Sequence, residues 1–234
     1  MIPKLIHYCW FGGDLPDNVR KCMATWIPYL WNNGYKVICW NESNISKFIG
    51  NRNIDYAFEH KLYAVLADII RCWALYNYGG IYLDTDVQLC DSFDRILHLR
   101  TYIGLERVEY PHNGEYFIDR KFISTAIIGT EPNNIIFKRC YDKFLNYDIN
   151  FIHGPERKVI GIPFYESLTE TAEFKVVNSI EEAEQYECEN KIAIFNAPQF
   201  DSYIAIHREY GEVQNYRIAD HLYFNSWVRK ETTR

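Results

Sequence analysis

The sequence predicts an α/β protein, a mixed sheet flanked by helices and folded as a single domain over residues 1–234. Three observations predict it. Residues 2–40 read as strand, helix and strand, a βαβ pattern that calls for a parallel sheet and a right-handed crossover. Residues 64–87 read as a helix, a two-glycine turn and a short apolar strand. Residues 102–129 read as a hairpin, which adds antiparallel pairing. With 234 residues the chain can bury one large core. No internal repeat, low-complexity segment or linker divides it.

Ile2 to Trp10 is apolar and β-prone, and is expected to be the first, central strand. Gly12 and Gly13 end it, and Pro16 opens a helix reaching about Asn33. Pro28 lacks a backbone N–H and should kink or shorten that helix, while Gly34 caps its end. Tyr35 to Trp40 forms the second strand. Asn41 to Asn53 is polar and is expected to hold one short helix. From about Lys61 to Tyr78, Leu62, Val65, Leu66, Ile69, Trp73 and Tyr76 recur at three- and four-residue spacing, which predicts a long helix with one buried face. Beyond the two-glycine turn come strand-like Val87 to Leu89, a short helix near Asp94 to Leu97, and a strand over Tyr102 to Val108. His112-Asn113-Gly114-Glu115 reads as a hairpin turn and Lys121 to Gly129 as the returning strand. Pro132 to Tyr147 reads as a helix, Gly154-Pro155 as a loop, and Pro163 to Thr171 as a further helix. Lys175 to Val177 and Ile192 to Phe195 are short strands in a less regular last third.

Composition narrows the function classes. The chain is 48% hydrophobic and 24% charged, as soluble globular proteins are. Its net charge of −6 and lack of a basic run argue against nucleic acid as a partner. Aromatic residues reach 17%, with 19 Tyr and 6 Trp, which leans toward a binder of sugar or base rings. The 7 Cys show no CxxC spacing, which argues against zinc and suits buried thiols in a reducing compartment. The N-terminal residues lack the apolar core of a signal peptide, and no segment has the ~18 apolar residues of a membrane span. A cytoplasmic protein, with room for peripheral contact at a membrane, is the expectation.

The chemistry concentrates in Gly79 to Val87, GGIYLDTDV. Ile81, Tyr82 and Leu83 form a β-prone apolar run, so Asp84 and Asp86 are expected just beyond the carboxyl end of a strand, where α/β proteins place their ligands. Side chains alternate along a strand, so the two carboxylates should point the same way, with Thr85 opposed. Asp-x-Asp is also common in solvated turns; here the apolar run before it places the pair at the edge of a core. Two neighbouring carboxylates repel unless a positive group lies between them, and oxygen ligands suit Mg²⁺ or Mn²⁺. Asp68 and Arg71, three apart on the preceding helix, are neighbours on its surface and read equally as an ordinary helical ion pair. His7, inside the first strand, reads as a satisfied buried histidine.

Residues 2–13 (IPKLIHYCWFGG), 67–87 (ADIIRCWALYNYGGIYLDTDV) and 221–227 (HLYFNSW) resemble the DXD sugar-transferase group. That group includes glycosyltransferase family 32 and is similar to the catalytic domain of glucosylating bacterial toxins. The pattern Ala-Asp-x-x-Arg followed by Leu-Tyr-x-x-Gly-Gly-Ile-Tyr-Leu-Asp-x-Asp is far more selective than a lone Asp-x-Asp. The resemblance implies a GT-A fold, with a Rossmann-like nucleotide-binding part over about 1–90 and an acceptor and metal-closing part over about 91–234. It implies donor contacts by Cys9, Trp10, Asp68, Arg71, Tyr82, Asp84 and Trp227, with Trp10 stacking on the base. It further implies a Mn²⁺ or Mg²⁺ ion held by Asp86 directly and shared by Asp84, with Asn225, Ser226 or His221 completing the shell. Catalysis would rest on Asp84, Asp86 and Arg71. Trp10 could also be a core tryptophan at a strand end, with base stacking favoured by the Gly-Gly that follows, and His221 reads equally as a surface or core histidine. The returning strand carries Ser124-Thr125-Ala126 where the family often has an Asn, so the resemblance does not carry sugar specificity with it.

The expectation is a metal-dependent, retaining hexosyltransferase. Its donor would be a UDP- or GDP-hexose and its acceptor a saccharide, lipid-linked acceptors included. Bacterial capsule, O-antigen or exopolysaccharide synthesis at the inner membrane would be its setting. The alternatives are a metal-dependent nucleotide-sugar hydrolase and a non-catalytic sugar-binding protein.

Overall fold

A computed structural model describes residues 1–105, 111–112, 115–116, 123–148, 161–171, 173–177, 179–187, 192–195 and 218–221. The first strand, β1 (Leu5–Cys9), leads through the Gly12-Gly13 loop into two helices, α1 (Asp17–Ala24) and α2 (Trp26–Leu30). One helix to Asn33 was expected; the break falls at Thr25, whose N–H and hydroxyl both donate to the Cys22 carbonyl, at 3.1 and 2.7 Å. Pro28 accounts for it. The Pro28 ring crowds the carbonyl four residues back, that of Ala24, and supplies no N–H to it. Gly34, at φ 74°, closes α2, and Tyr35 N–H donates to the Leu30 carbonyl at 3.1 Å.

The second strand, β2 (Lys36–Trp40), pairs in parallel with β1 from Leu5–Lys36 to Cys9–Trp40, as the βαβ reading required. A 3-10 turn at Ser46–Phe48 follows, then α3 (Arg52–Glu59), a two-turn helix that begins within the polar stretch and is capped by the Asn51 side chain on Asn53 N–H. The long helix, α4 (Tyr63–Tyr78), carries the largest correction. Val65, Leu66, Asp68, Ile69, Ile70, Arg71, Cys72, Ala74 and Leu75 are all buried, so the helix is enclosed nearly all round. Leu62, Trp73 and Tyr76, expected on the buried stripe, are only half-buried. The cause is tertiary: α4 packs on β1, on the next strand, and on α3 and α5.

Past α4 the chain forms β3 (Gly80–Leu83), β4 (Val87–Leu89), a 3-10 turn at Phe93–Ile96 and β5 (Thr101–Leu105). The two-residue strands β6 (Pro111–His112) and β7 (Glu115–Tyr116) pair antiparallel around 113–114. Then come β8 (Ile123–Thr130) and α5 (Ile135–Asn146). A helix at Gly161–Thr169, β9 (Phe174–Val177), a helix at Ile180–Glu187, β10 (Ile192–Phe195) and β11 (Ala219–His221) complete the described elements. The expected loop at Gly154-Pro155 lies outside the described residues.

Among the described residues, seven strands form the main sheet, in the order β2-β1-β3-β8-β5-β10-β9. All neighbours are parallel except β8, which runs antiparallel to both β3 and β5. The sheet is mixed because the β5–β8 hairpin inserts one reversed strand. Alternation along each strand feeds two cores. Tyr82 and Ile128 face the side of α4 and α5, while Ile6, Ile81, Leu83 and Ile127 face that of Trp26, Leu30, Phe93 and Ile218. Cys72 and Cys140 thiols meet at 3.2 Å where α4 touches α5.

The joint between α4 and β3 needs its two glycines. Gly79 and Gly80 have φ of 61° and 94°, a region that L side chains rarely adopt. A Cβ on Gly79 would lie 2.6 Å from Pro132 N, and one on Gly80 would run into the Leu5 carbonyl oxygen. The pair lets β3 lie close against β1.

Candidate donor and metal site

Three short strands set the location. β2 lies on one side of β1 and β3 on the other, so the chain reverses its winding between β1 and β3. Ligands of open α/β sheets bind beyond the carboxyl ends of strands at such a switch point. Cys9 ends β1, Trp10 follows it, and Asp84 directly follows β3.

Arg71 joins the elements. Its Nη2 donates to Asp84 Oδ1 at 2.9 Å, and its Nη1 lies 3.3 Å from Asp68 Oδ1. Its guanidinium carbon sits 4.1 Å from the centre of the Tyr82 ring, a cation–π contact. Asp68 and Arg71 are each only 4% exposed. The spacing of Asp68 and Arg71 therefore marks a buried bridge between helix and strand end, not a solvated surface pair. Burial alone would lower the Arg71 pKa; the Asp84 carboxylate, with Tyr82 and Asp68, reverses that and holds the guanidinium charged. Arg71 Nε and Nη1 are buried and make no hydrogen bond among the described residues, although Nη1 keeps its ion pair with Asp68. Burial pushes the Tyr82 hydroxyl and the Cys9 thiol well up, so both stay neutral. Cys9, 8% exposed with its Sγ 3.9 Å from the Ala67 carbonyl, supports the site from beneath.

The Asp-Thr-Asp stretch differs from its expected form. The strand ends at Leu83, and Asp84 to Val87 is a reverse turn closed by Val87 N–H on the Asp84 carbonyl at 3.1 Å. Strand alternation thus does not set where Asp84 and Asp86 point; the turn does. Asp84 N–H donates to the Ala126 carbonyl at 2.9 Å, which ties the turn to β8. Asp84 and Asp86 are half-buried, and Thr85 between them is buried.

Trp10 is half-buried and does not belong to the core. Its indole N–H donates to the Gly13 carbonyl at 2.8 Å, and its backbone N–H to the Trp40 carbonyl at 3.0 Å. Two residues that the sequence did not single out hold this loop. Glu42 Oε1 accepts from Gly12 N–H at 2.7 Å, and the Tyr63 ring stacks on Phe11 at 5.8 Å. The only signal for Glu42 was its place just past the second strand. His7 is buried and satisfied, as expected: Trp40 Nε1–H donates to Nδ1 at 3.2 Å, so Nε2–H faces the Gly79 carbonyl at 3.0 Å. That arrangement is a neutral ring, and burial lowers its pKa to about 4.

On the C-terminal side, β11 pairs antiparallel with β4, and His221 sits opposite Val87 in the register. The pairing sets the backbone of His221 next to the residue that follows Asp86. Asn225, Ser226 and Trp227 lie outside the described residues.

The residues present fit a divalent cation bound together with its ligand. Among the described residues no group of three or more His, Cys, Asp or Glu side chains could hold a metal by itself. Asp84 and Asp86 offer hard oxygen donors, and Asp84 Oδ1 is already engaged by Arg71. One or two carboxylates, completed by substrate phosphates and water, is the usual site for Mg²⁺-like ions.

The region that builds this geometry matches a known family. Residues 16–102, which contain Asp68, Arg71, Tyr82, Asp84 and Asp86, match the model described as a glycosyltransferase sugar-binding region containing the DXD motif. The chain is 29% identical over 105 residues to inositol phosphoceramide mannosyltransferase 3 of Schizosaccharomyces pombe, covering 44% of this chain and 29% of that protein. It is 29% identical over 149 residues to an uncharacterized glycosyltransferase of Acanthamoeba polyphaga mimivirus, covering 58% of this chain and 53% of that one. The chain therefore spans about half or less of these relatives' length. Among solved structures, the PaToxG glycosyltransferase is similar in fold, with a TM-score of 0.52 at 19% identity over 72% of this chain and 69% of that one. Residues 16–102 are thus similar to the glycosyltransferase sugar-binding region that contains the DXD motif, and the mixed sheet flanked by helices is of the GT-A type.

Proposed function

We propose that the chain transfers a hexose from a UDP- or GDP-hexose to a saccharide acceptor, with Mn²⁺ or Mg²⁺ and with retention of anomeric configuration. The observation that carries this is the buried Arg71, bonded to Asp84 of the DXD turn at the switch point of the sheet. A cation on Asp86 and Asp84 would supply stabilisation of the negative charge that grows on the departing diphosphate. Arg71 adds a fixed positive charge in the same region, already oriented by two carboxylates, so it needs no reorganisation during the reaction. Asp68 would repel phosphate and is assigned to donor hydroxyls, which it can accept from. Trp10, with its indole N–H committed within the loop, presents a ring for the base. Arg71 engages both Asp68 and Asp84, which supports a front-face displacement without a carboxylate nucleophile.

His221, Asn225, Ser226 and Trp227 are proposed to close over the metal and phosphates. The β4–β11 pairing supports this, since Asn225 lies four residues past a strand anchored beside Val87. At the level of pathway we propose bacterial surface polysaccharide synthesis from the cytoplasmic face, with a lipid-linked acceptor. The Schizosaccharomyces pombe relative favours a second acceptor class, the polyol headgroup of a lipid. No described helix is long and apolar enough to cross a membrane.

The test is nucleoside diphosphate release from UDP- and GDP-hexoses with Mn²⁺, Mg²⁺ or EDTA, with and without saccharide or inositol-lipid acceptors, and NMR of the product anomer. Metal-dependent release that rises with one acceptor and gives a retained linkage is expected. Free sugar at an undiminished rate with every acceptor would make the protein a hydrolase. An inverted product would overturn retention. Calorimetry that finds no metal-dependent binding of any UDP- or GDP-sugar would sink the transferase reading.

A further inference from the structure

We propose that Glu42 is a positioning residue for the nucleotide: it holds the Trp10–Gly13 loop, through the Gly12 N–H, in the conformation that offers the Trp10 ring to the base. This rests on the reading of Trp10 as the base platform. The loop cannot hold itself. Gly12 and Gly13 have φ of 89° and 107°, so the backbone there has little intrinsic preference for the observed shape. A Cβ on Gly12 would lie 2.6 Å from Tyr63 Cε2, so the loop passes tightly over the start of α4. Its internal tie, Trp10 Nε1–H to the Gly13 carbonyl, joins two parts of the loop into one unit, which the Trp10 backbone N–H on the Trp40 carbonyl holds to β2 at its start alone. The carboxylate of Glu42, at 2.7 Å from Gly12 N, anchors that unit to β2 by a charge-assisted bond.

The anchor is itself rigid. Glu42 sits in a turn past β2 in which Asn41 N–H donates to Asn44 Oδ1 at 3.0 Å and Ser43 N–H to Asn41 Oδ1 at 2.9 Å. Asn44 Nδ2 donates in turn to the Cys39 carbonyl at 2.7 Å. Glu42 is exposed and contributes nothing to either core.

The experiment is calorimetry of UDP and GDP with Mn²⁺ on the whole chain and on Glu42→Ala, Glu42→Gln, Trp10→Ala and the Trp10→Ala/Glu42→Ala double variant, with circular dichroism melts alongside. Glu42→Ala should weaken the better nucleotide by about tenfold, the worth of one charge-assisted bond, and Glu42→Gln, which keeps an oxygen acceptor but loses the charge, should weaken it by about threefold. The double variant should bind no more weakly than Trp10→Ala alone, since Glu42 acts through Trp10. Unchanged affinity in Glu42→Ala, with Trp10→Ala weakened, overturns the role of Glu42 and leaves the platform standing. Glu42→Gln as weak as Glu42→Ala overturns it too, because the charge would then act on the ligand. Unchanged affinity in Trp10→Ala overturns both the platform and this inference. A wild-type chain that binds neither nucleotide removes the donor reading and this inference with it.

Discussion

Arg71 decides what its neighbours can do. A guanidinium buried to this degree is tolerated only with partners, and Asp68 and Asp84 supply them from a helix and a strand end. Asp86 has a different place: it is half-buried in the turn and absent from both cores. Asp86→Ala should therefore abolish Mn²⁺-dependent binding of a UDP- or GDP-hexose in calorimetry while leaving the thermal melt almost unchanged. Normal metal-dependent binding by that variant would show that the cation sits elsewhere. His7 yields a pH prediction. Its folded pKa of about 4 lies below the ordinary 6.5, so the neutral ring's contribution is fully present above pH 6.5 and is lost as pH falls toward 4. Linkage puts the loss at about 3 kcal/mol. Urea unfolding between pH 7.5 and 4 should show this extra slope in the wild type and not in His7→Gln. Identical slopes would refute it. At this scale the identities of Asp68, Arg71, Tyr82, Asp84 and Asp86 were legible in sequence, because motif spacing is local. The Glu42–Gly12 contact was not, because it joins residues 30 apart through the turn after another strand.

Helix α4 and strand β3 behave as one device joined by Gly79-Gly80. Asp68 and Arg71 are on one arm, Tyr82 and Asp84 on the other, and His7 binds the Gly79 carbonyl at the joint. Gly80→Ala would force a side chain onto a φ of 94° and against the Leu5 carbonyl. Strain and overpacking together should cost roughly 2–4 kcal/mol, read as a lower urea midpoint at unchanged m-value. A loss under roughly 1 kcal/mol would mean that the joint relaxes and does not fix the site. Element existence was readable here: β1, β2, α4, β3, β8 and α5 were all expected near their observed bounds. Helix α3 escaped notice because it is only two turns long and follows a polar stretch, and the break at Thr25 was foreseen only as a kink or shortening caused by Pro28. The single buried face assigned to α4 failed for a physical reason. Periodicity reports the contrast between two sides, and a helix enclosed by a sheet and two helices has little contrast to report.

The buried Asp68–Arg71–Asp84 cluster lies at the carboxyl ends of β1 and β3, inside the sheet order, and a ligand there would tie α4, β1, β3 and the β4–β11 pair together. Such a ligand stabilises the folded chain by mass action. A nucleotide sugar with Mn²⁺ at a hundred times its Kd should add about 2.7 kcal/mol, seen as a rise in Tm that EDTA reverses. A rise that survives EDTA would place the nucleotide in a site independent of the DXD turn.

The sequence by itself determined the fold class, the helix–Gly-Gly–strand unit and the pair of carboxylates at its end, since each depends on patterns within a few turns of chain. Only the tertiary structure decided that Arg71 is a buried bridge between Asp68 and Asp84, that Asp84 and Asp86 sit in a reverse turn, and that Glu42 holds the loop beneath Trp10. Those features depend on which distant segments share a boundary, and shared boundaries are set by packing the two cores, not by local periodicity.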